Sequence, residues 1–339
     1  METNKITIHD IARALSIDSS TVSRALNDSP RVTQKTKKII LDKASELGYQ
    51  PNLMASNLRK SKSNTIGVIV PRISRHFFSS VIAGIEEEAY GEGYNVIISQ
   101  SLEQLEREQN ITKALLANRV DGVLISVSME TNNHDHLMRL KENGTQFLFF
   151  DRHCDIDGIN SVLIDDFKGG FDATEHLISK GCRNIGHFSG PQELKIYQNR
   201  LAGYKAALEK HKIMFRPDLV LPSRLMELDG MESAKKLLSL PIKIDGIFAA
   251  NDVSAIGAMK YLKSKGIRIP QDIAIVGFSN EPISSVIEPS LTTIDQPGFQ
   301  IGKKSTEILL KQIRGGKKSP KSETTILEST LIERDSSKK

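Results

Sequence analysis

From Thr65 onward the chain alternates short β-rich runs with helical periods, and this alternation limits the fold more than any other feature. The runs are TIGVIV (65–70), YNVIIS (94–99), DGVLIS (121–126), QFLFFD (146–151), SVLIDD (161–166), NIGHFSG (184–190), DLVLPS (218–223), DGIFAA (245–250) and DIAIVGF (272–278). All read as buried parallel strands. Helical stretches separate them at 78–91, 103–118, 167–180, 200–210, 229–239 and 252–264. Such spacing predicts parallel sheets with helices on both faces. About 270 residues of it exceed one comfortable core, so two lobes are expected. Ligands of open α/β sheets sit beyond the carboxyl ends of the strands, which turns attention to the strand-end residues.

The amino-terminal segment has a different pattern. IHDIARALSIDSSTVSRALN (8–27) reads as a helix-turn-helix. Thr7 and Asp10 form a candidate capping box, and Ile8, Ile11, Ala12 and Leu15 make one apolar stripe. After a turn at Ser16-Ile17, Asp18 caps a second helix. Val22, Ala25 and Leu26 face inward there, while Ser19, Ser20, Ser23, Arg24 and Asn27 face outward. Small hydroxyls with one arginine suit a major groove, where arginine pairs bidentately with guanine. A third helix opens at Thr33, lines Ile40, Ala44 and Leu47 on one face and stops at Gly48. Pro51 and Asn52 then open a short helical segment of about eight residues, too short to be stable alone in water. The Ser61-Lys62-Ser63-Asn64 run after it reads as a linker.

Charge is partitioned in the same way. Residues 1–63 carry eleven Lys and Arg against six Asp and Glu, a surplus of five that equals the surplus of the whole chain. The remaining residues hold thirty-five charges of each sign. The net positive charge therefore sits on the segment that phosphate attraction would need.

The chain resembles the lactose/galactose-repressor family of bacterial transcription regulators from about Ile6 to about Arg334, through TVSRALN (21–27), GYQPN (48–52) and the Ala55 and Leu58 pair. The resemblance implies a three-helix DNA-binding domain at 1–48, a hinge helix and linker at 49–63, and an effector-binding and dimerisation core at 64–339. That core is expected as a two-lobed periplasmic-binding-protein-like α/β unit, with lobe 1 at about 64–162 and 294–322 and lobe 2 at about 163–293 and 323–335. The resemblance places Ser19, Ser20 and Arg24 at base edges. It places Asp18, Thr21, Ser23, Asn27, Thr33, Thr36 and Asn52 near phosphates. Ala55 and Leu58 match the hinge helix, whose leucine wedges into a central minor-groove step and kinks the duplex. Asp18 departs from the serine common there; a carboxylate cannot donate to phosphate, which leaves capping as its role.

In the cleft, the resemblance assigns Phe77 and Phe78 as aromatics and Asp151, Arg200 and Asn251 as polar effector contacts. An apolar platform with a donor fork and acceptor groups suits a sugar or another small polar ligand. Helix capping by Asp151 and Asn251, and core packing by the phenylalanines, is the competing reading. Ser279 stands where many relatives carry an aspartate that grips sugar hydroxyls, so either the effector differs or Asn280 or Glu281 replaces that carboxylate. The loop 191–199 and Leu225 match effector-facing regions, and the Arg200–Tyr204 run is expected to open a helix.

Catalysis finds little support. No G-x-S-x-G elbow appears, and no G-x-G-x-x-G follows a first strand. Gly298–Ser305 has the wrong spacing for a P-loop and reads as the start of a buried helix. His134-Asp135-His136 lies in a polar stretch and reads as a solvated loop rather than a metal site. Cys154 and Cys182 lack metal-type spacing. No cofactor is expected. Two cysteines, no apolar amino-terminal run and no stretch near ~18 apolar residues point to a cytoplasmic protein without a membrane partner. The expected partners are a near-palindromic double-stranded operator, a small effector and a second copy of the chain; no heptad run suggests a tetramer. The alternatives are a solute-binding protein without DNA function and a regulator that activates.

Overall fold

The computed structural model describes residues 6–49, 62–315 and 322–338. The chain divides into two compact units between Ser63 and Asn64.

Among the described residues the first unit holds three helices, α1 (Ile8–Leu15), α2 (Ser19–Leu26) and α3 (Gln34–Glu46). They enclose a small core of Ile11, Ala12, Val22, Ala25, Val32, Ile40 and Ala44. Thr7 opens α1 through two bonds to Asp10 Oδ2, from its backbone N at 2.9 Å and its hydroxyl at 2.7 Å. Ser16 closes it in the left-handed region at φ 54°. Asp18 Oδ1 accepts from Ser20 N at 2.7 Å, and Thr33 Oγ1 accepts from Thr36 N at 3.3 Å. These caps satisfy donors that a helix start leaves orphaned. Lys37 is buried, and its ammonium reaches Asp28 Oδ1 at 2.5 Å. Gly48 turns the chain out of α3 at φ +66°.

The second unit is built on two six-stranded sheets. Strands β1 (Thr65–Val70), β2 (Asn95–Gln100), β3 (Gly122–Ile125), β4 (Gln146–Phe150), β5 (Asn160–Ile164) and β11 (Thr324–Leu327) form the first. Its order is β11-β5-β4-β3-β1-β2, with every pairing parallel. The second contains β6 (Ile185–Ser189), β7 (Val220–Pro222), β8 (Gly246–Ala249), β9 (Ala274–Phe278), β10 (Thr292–Asp295) and β12 (Thr330–Ile332). Its order is β12-β10-β9-β8-β6-β7, and only β12 runs antiparallel. The two-residue period of β1 sends Ile66, Val68 and Val70 to one apolar cluster and Ile69 to another.

The sheets locate the lobes and correct their expected bounds. Strand β5 lies wholly in the first sheet, and β10 lies wholly in the second. The segment from 323 was expected in lobe 2; instead β11 pairs with β5 from Thr324↔Ser161 to Leu327↔Ile164, and Asn160 Oδ1 accepts from Glu323 N at 2.8 Å. A four-residue strand carries no local sign of which sheet it will extend. The run at 94–99 was expected to be buried, yet β2 is an edge strand with Ile97 37 % and Ile98 41 % exposed.

Helices cover these sheets: α4 (His76–Gly91), α5 (Leu105–Ala117), α6 (Asp135–Glu142), α7 (Asp166–Ser179), α8 (Lys195–Lys210), α9 (Glu227–Ser239), α10 (Asp252–Ser264) and α11 (Gly298–Gly315). The His134–His136 stretch expected as a solvated loop instead opens α6. His136 is buried, with Nε2 2.8 Å from Glu108 Oε1. An apolar face of Leu137 and Leu140 pulls this polar segment onto the sheet. Gly298 does start a largely buried helix. No helix among the described residues is long and apolar enough to cross a membrane.

Three helix pairs meet backbone to backbone through reciprocal glycines. A Cβ on Gly84 of α4 would lie 2.0 Å from Phe299 O, and one on Gly302 of α11 would lie 2.0 Å from Val81 O. A Cβ on Gly170 of α7 would lie 2.3 Å from Arg200 O, and one on Gly203 of α8 would lie 2.1 Å from Phe167 O. Gly230 of α9 and Gly257 of α10 repeat the arrangement at 2.0 Å. The obstacle is backbone, so relief requires one helix to move off the other. Gly84→Ala should destabilise the second unit by about 1–3 kcal/mol, the usual cost of overpacking, read as a shift of the urea midpoint. An unchanged midpoint would show that α4 and α11 separate freely.

Candidate nucleic-acid interface and ligand cleft

On α2, Arg24 is exposed and forms no ion pair among the described residues. Ser20 and Asn27 are exposed, while Ser19, Thr21 and Ser23 are half-buried. Asn27 Nδ2 donates to Ser23 O at 2.7 Å. Asp18 is exposed, and hydrogen bonds from the Ser20 side chain and backbone hold its carboxyl below the usual range. It is therefore a negatively charged cap at the start of α2. Thr33 and Thr36 face each other with hydroxyls 2.9 Å apart at the start of α3. The structure thus gathers Asp18, Ser19, Ser20, Thr21, Ser23, Arg24 and Asn27 along or beside one helix, with Thr33 and Thr36 on the next. Asn52, Ala55 and Leu58 lie outside the described residues.

The six residues expected in the cleft line one cavity of about 920 Å³, open solvent included: Phe77, Phe78, Asp151, Arg200, Asn251 and Ser279. Both lobes contribute. Phe77 and Phe78 begin α4 just past β1, packed edge to face at 5.2 Å. Both line the cavity and are also buried core. Asp151 follows β4 at φ 59° and is buried. Its Oδ2 accepts from Ser126 Oγ at 3.2 Å, and burial raises its pKa against the pull of Arg152 and Arg200.

Arg200 lies inside α8 rather than at its start, because Leu194 opens that helix and residues expected in a loop join it. The guanidinium is buried. Nε donates to Asp166 Oδ1 at 2.8 Å, Nη1 donates to Ala250 O at 2.7 Å, and Cζ stands 3.6 Å from the Phe278 ring centre. Asn251 caps α10: Oδ1 accepts from Ser254 N at 2.8 Å, and Nδ2 donates to Leu225 O at 3.0 Å. Asn251 thus both caps a helix and lines the cleft. Leu225 itself is buried.

Ser279 sits at φ 105° and donates its hydroxyl to Gln296 Oε1 at 2.8 Å. Asn280 is committed elsewhere, with Nδ2 donating to Asp295 at 2.8 Å and Oδ1 accepting from Arg334 at 2.7 Å. Of the two residues considered as replacement carboxylate, Glu281 lines the cavity and Asn280 does not.

Other lining residues were not assigned individual roles from the sequence. Glu103 and Arg152 lie 49 positions apart yet form a buried pair, with Arg152 Nη1 to Glu103 Oε2 at 2.8 Å and Nη2 to Oε1 at 3.3 Å. Tyr197, Gln296 and Arg72 also line the wall, as does Asp252. Asp252 is fully buried, and burial pushes its pKa up to about 7 although Thr293, Ser284 and Glu281 N all donate to it. Behind Arg200, burial pushes the Asp166 pKa up to about 6, with Arg200 opposing.

A hydroxyl-bearing helix with an exposed arginine, and a polar cleft between two α/β lobes in the second unit, fit the parts of a DNA-binding regulator. Residues 7–52 match the family of bacterial regulatory proteins, lacI family, and residues 63–339 match periplasmic binding proteins and sugar binding domain of LacI family. The chain belongs to the LacI family of DNA-binding transcriptional regulators and is not an enzyme. It is 32 % identical to the HTH-type transcriptional regulator RegA of Clostridium saccharobutylicum, over 97 % of this chain and 98 % of that one. It is 33 % identical to the HTH-type transcriptional repressor CytR of Escherichia coli K12, over 91 % and 90 %. Its structure matches the lac repressor dimer bound to operator and the anti-inducer ONPF, with TM-score 0.86 and 27 % identity over 98 % and 99 % of the two chains.

Glu103→Gln should cost about 3 kcal/mol, because it leaves the buried Arg152 guanidinium without its main counter-charge. Equilibrium denaturation reads the change. A cost under ~1 kcal/mol, typical of an exposed pair, would show that water reaches this pair.

Proposed function

We propose that the chain is a cytoplasmic repressor that binds a near-palindromic operator as a homodimer and is switched by a small effector, a sugar or sugar derivative, held in the cleft. In this reading residues 1–48 read DNA, 49–63 form the hinge and 64–339 bind effector and partner. Ser19, Ser20 and Arg24 contact base edges. Asp18, Thr21, Ser23, Asn27, Thr33, Thr36 and Asn52 border the phosphates, and Ala55 and Leu58 meet the minor groove. Phe77, Phe78, Asp151, Arg200, Asn251 and Ser279 contact the effector.

The observation that carries the reading is Arg24, exposed and unpaired among the described residues on a face of small hydroxyls. Similarity to a repressor dimer solved on its operator supports the DNA and dimer parts. The family description of a sugar-binding domain supports the effector class. Effector and operator binding would then be coupled by ~1–3 kcal/mol, acting equally in both directions.

The test is operator selection with the full chain, followed by binding measurements with a panel of mono- and disaccharides. Arg24→Ala should cost ~1–3 kcal/mol on the selected operator and relax preference at one base pair of each half-site. Arg200→Lys keeps a charge beside Asp166 but loses the planar fork, so it should blunt the sugar response while operator binding without sugar stays intact. Equal weakening by Arg24→Ala on every sequence would make it a phosphate contact only. An undiminished sugar response in Arg200→Lys would move the effector elsewhere.

The dimer part has its own support. Edge strand β2 leaves Ile97 and Ile98 open, and the second lobe exposes Leu228 at 73 % and Val286 at 78 %. Apolar edges of this kind ask for cover. Ile98→Asp with Val286→Asp should convert a dimeric mass to a monomeric one in light scattering at micromolar concentration. A dimer that survives both changes would place the contact on another face.

A further inference from the structure

Five arginines line the cleft, and their partners divide them into two sets. Arg152 and Arg200 are buried and held by Glu103 and Asp166. Arg72, Arg75 and Arg224 are different. Arg72 and Arg75 are half-buried on the segment after β1. Among the described residues the Arg72 side chain makes no hydrogen bond or ion pair. That of Arg75 reaches only Met226 Sδ, at 3.3 Å, a weak acceptor. Arg224, just before α9, is 72 % exposed and stands 3.5 Å from a half-exposed Glu130, a pair that contributes little. The Arg75–Met226 contact brings the two arginine-bearing segments, one from each lobe, to the same side of the cavity.

The lining carboxylates do not neutralise this side. Glu103 is taken by Arg152, and Asp252 is taken by three donors. Asp151 accepts from Ser126 and lies 3.8 Å from Arg152 Nε. Glu281, past β9, is the only lining carboxylate among the described residues with neither a cation within 4.0 Å nor a donated hydrogen bond. Guanidinium groups half withdrawn from water without a counter-charge are unfavourable until a ligand supplies one.

We infer that the effector carries an anionic group, phosphate or carboxylate, that Arg72, Arg75 and Arg224 grasp from both lobes while Asp151, Asn251 and Glu281 take its hydroxyls. Guanidinium suits either anion through paired N–H donors. This inference rests on the proposed use of the cleft as the effector site.

Two matched series test it on the full chain by calorimetry: glucose, glucose 6-phosphate and gluconate; ribose, ribose 5-phosphate and ribonate. An anionic member should bind at least about tenfold more tightly than its neutral parent, as charge-assisted contacts imply. The ester and acid arms separate the two anions. The double variant R72Q/R75Q should erase that advantage, whereas Arg107→Gln, an exposed position on α5, should keep it. A neutral parent that binds as tightly, or an advantage that survives R72Q/R75Q, overturns the anion and leaves the sugar cleft standing. No binding by any of the six overturns both.

Discussion

The buried guanidinium of Arg200 is the contact around which the second lobe is organised. It comes from α8, takes a carboxylate from the first residue of α7, closes on the carbonyl of Ala250 just beyond β8, and lies against the Phe278 ring that ends β9. Four separate segments are thus tied at the floor of the cleft. The reciprocal glycines Gly170 and Gly203 allow it, since α7 and α8 must approach at backbone distance for Asp166 and Arg200 to meet. Removing one member of such a pair is costly because the other is stranded without water. The lobe and the floor of its cleft are therefore built by the same contacts.

The same logic operates across the cleft, where Glu103 and Arg152 tie the ends of β2 and β4 in the first lobe. The chain crosses between the lobes after β5, after β10 and again between β11 and β12. These three short crossings are where, under the proposed switch, a change of angle between the lobes would be absorbed. Under the proposed switch, a ligand that touches both lobes would favour one angle by the difference between its contacts in the two states.

Much of this was legible in the sequence, and for a local reason. Helix caps are decided by residues two or three apart, so Thr7 with Asp10, Asp18 at the start of the second helix and Thr33 at the start of the third could be read directly. Parallel strands deliver their carboxyl ends to one edge of a sheet, so Phe77, Asp151 and Asn251 could be read as strand-end residues, while the family resemblance joined them with Ser279 in one cleft. What escaped was decided at long range. The Glu103–Arg152 pairing, the sheet that β11 joins and the buried bond from His136 to Glu108 each depend on segments that no local period connects. His136 is instructive: its neighbours are polar, but Leu137 and Leu140 carry the helix inward and Glu108 meets the imidazole there.

The partition of charge bears on how the two halves can work together. All of the net surplus lies in residues 1–63, while the rest of the chain is balanced. Attraction to phosphate, and its loss with added salt, therefore belongs to the amino-terminal unit. In the second unit Arg152 with Glu103 and Arg200 with Asp166 form internal pairs, which exert little field at a distance. Under the proposed switch, a ligand in the cleft would alter DNA affinity through geometry and not through charge, and the salt dependence of operator binding would be nearly the same with and without it. On the same proposal, separation of this kind would let the cleft change its ligand preference without disturbing the electrostatics of DNA recognition.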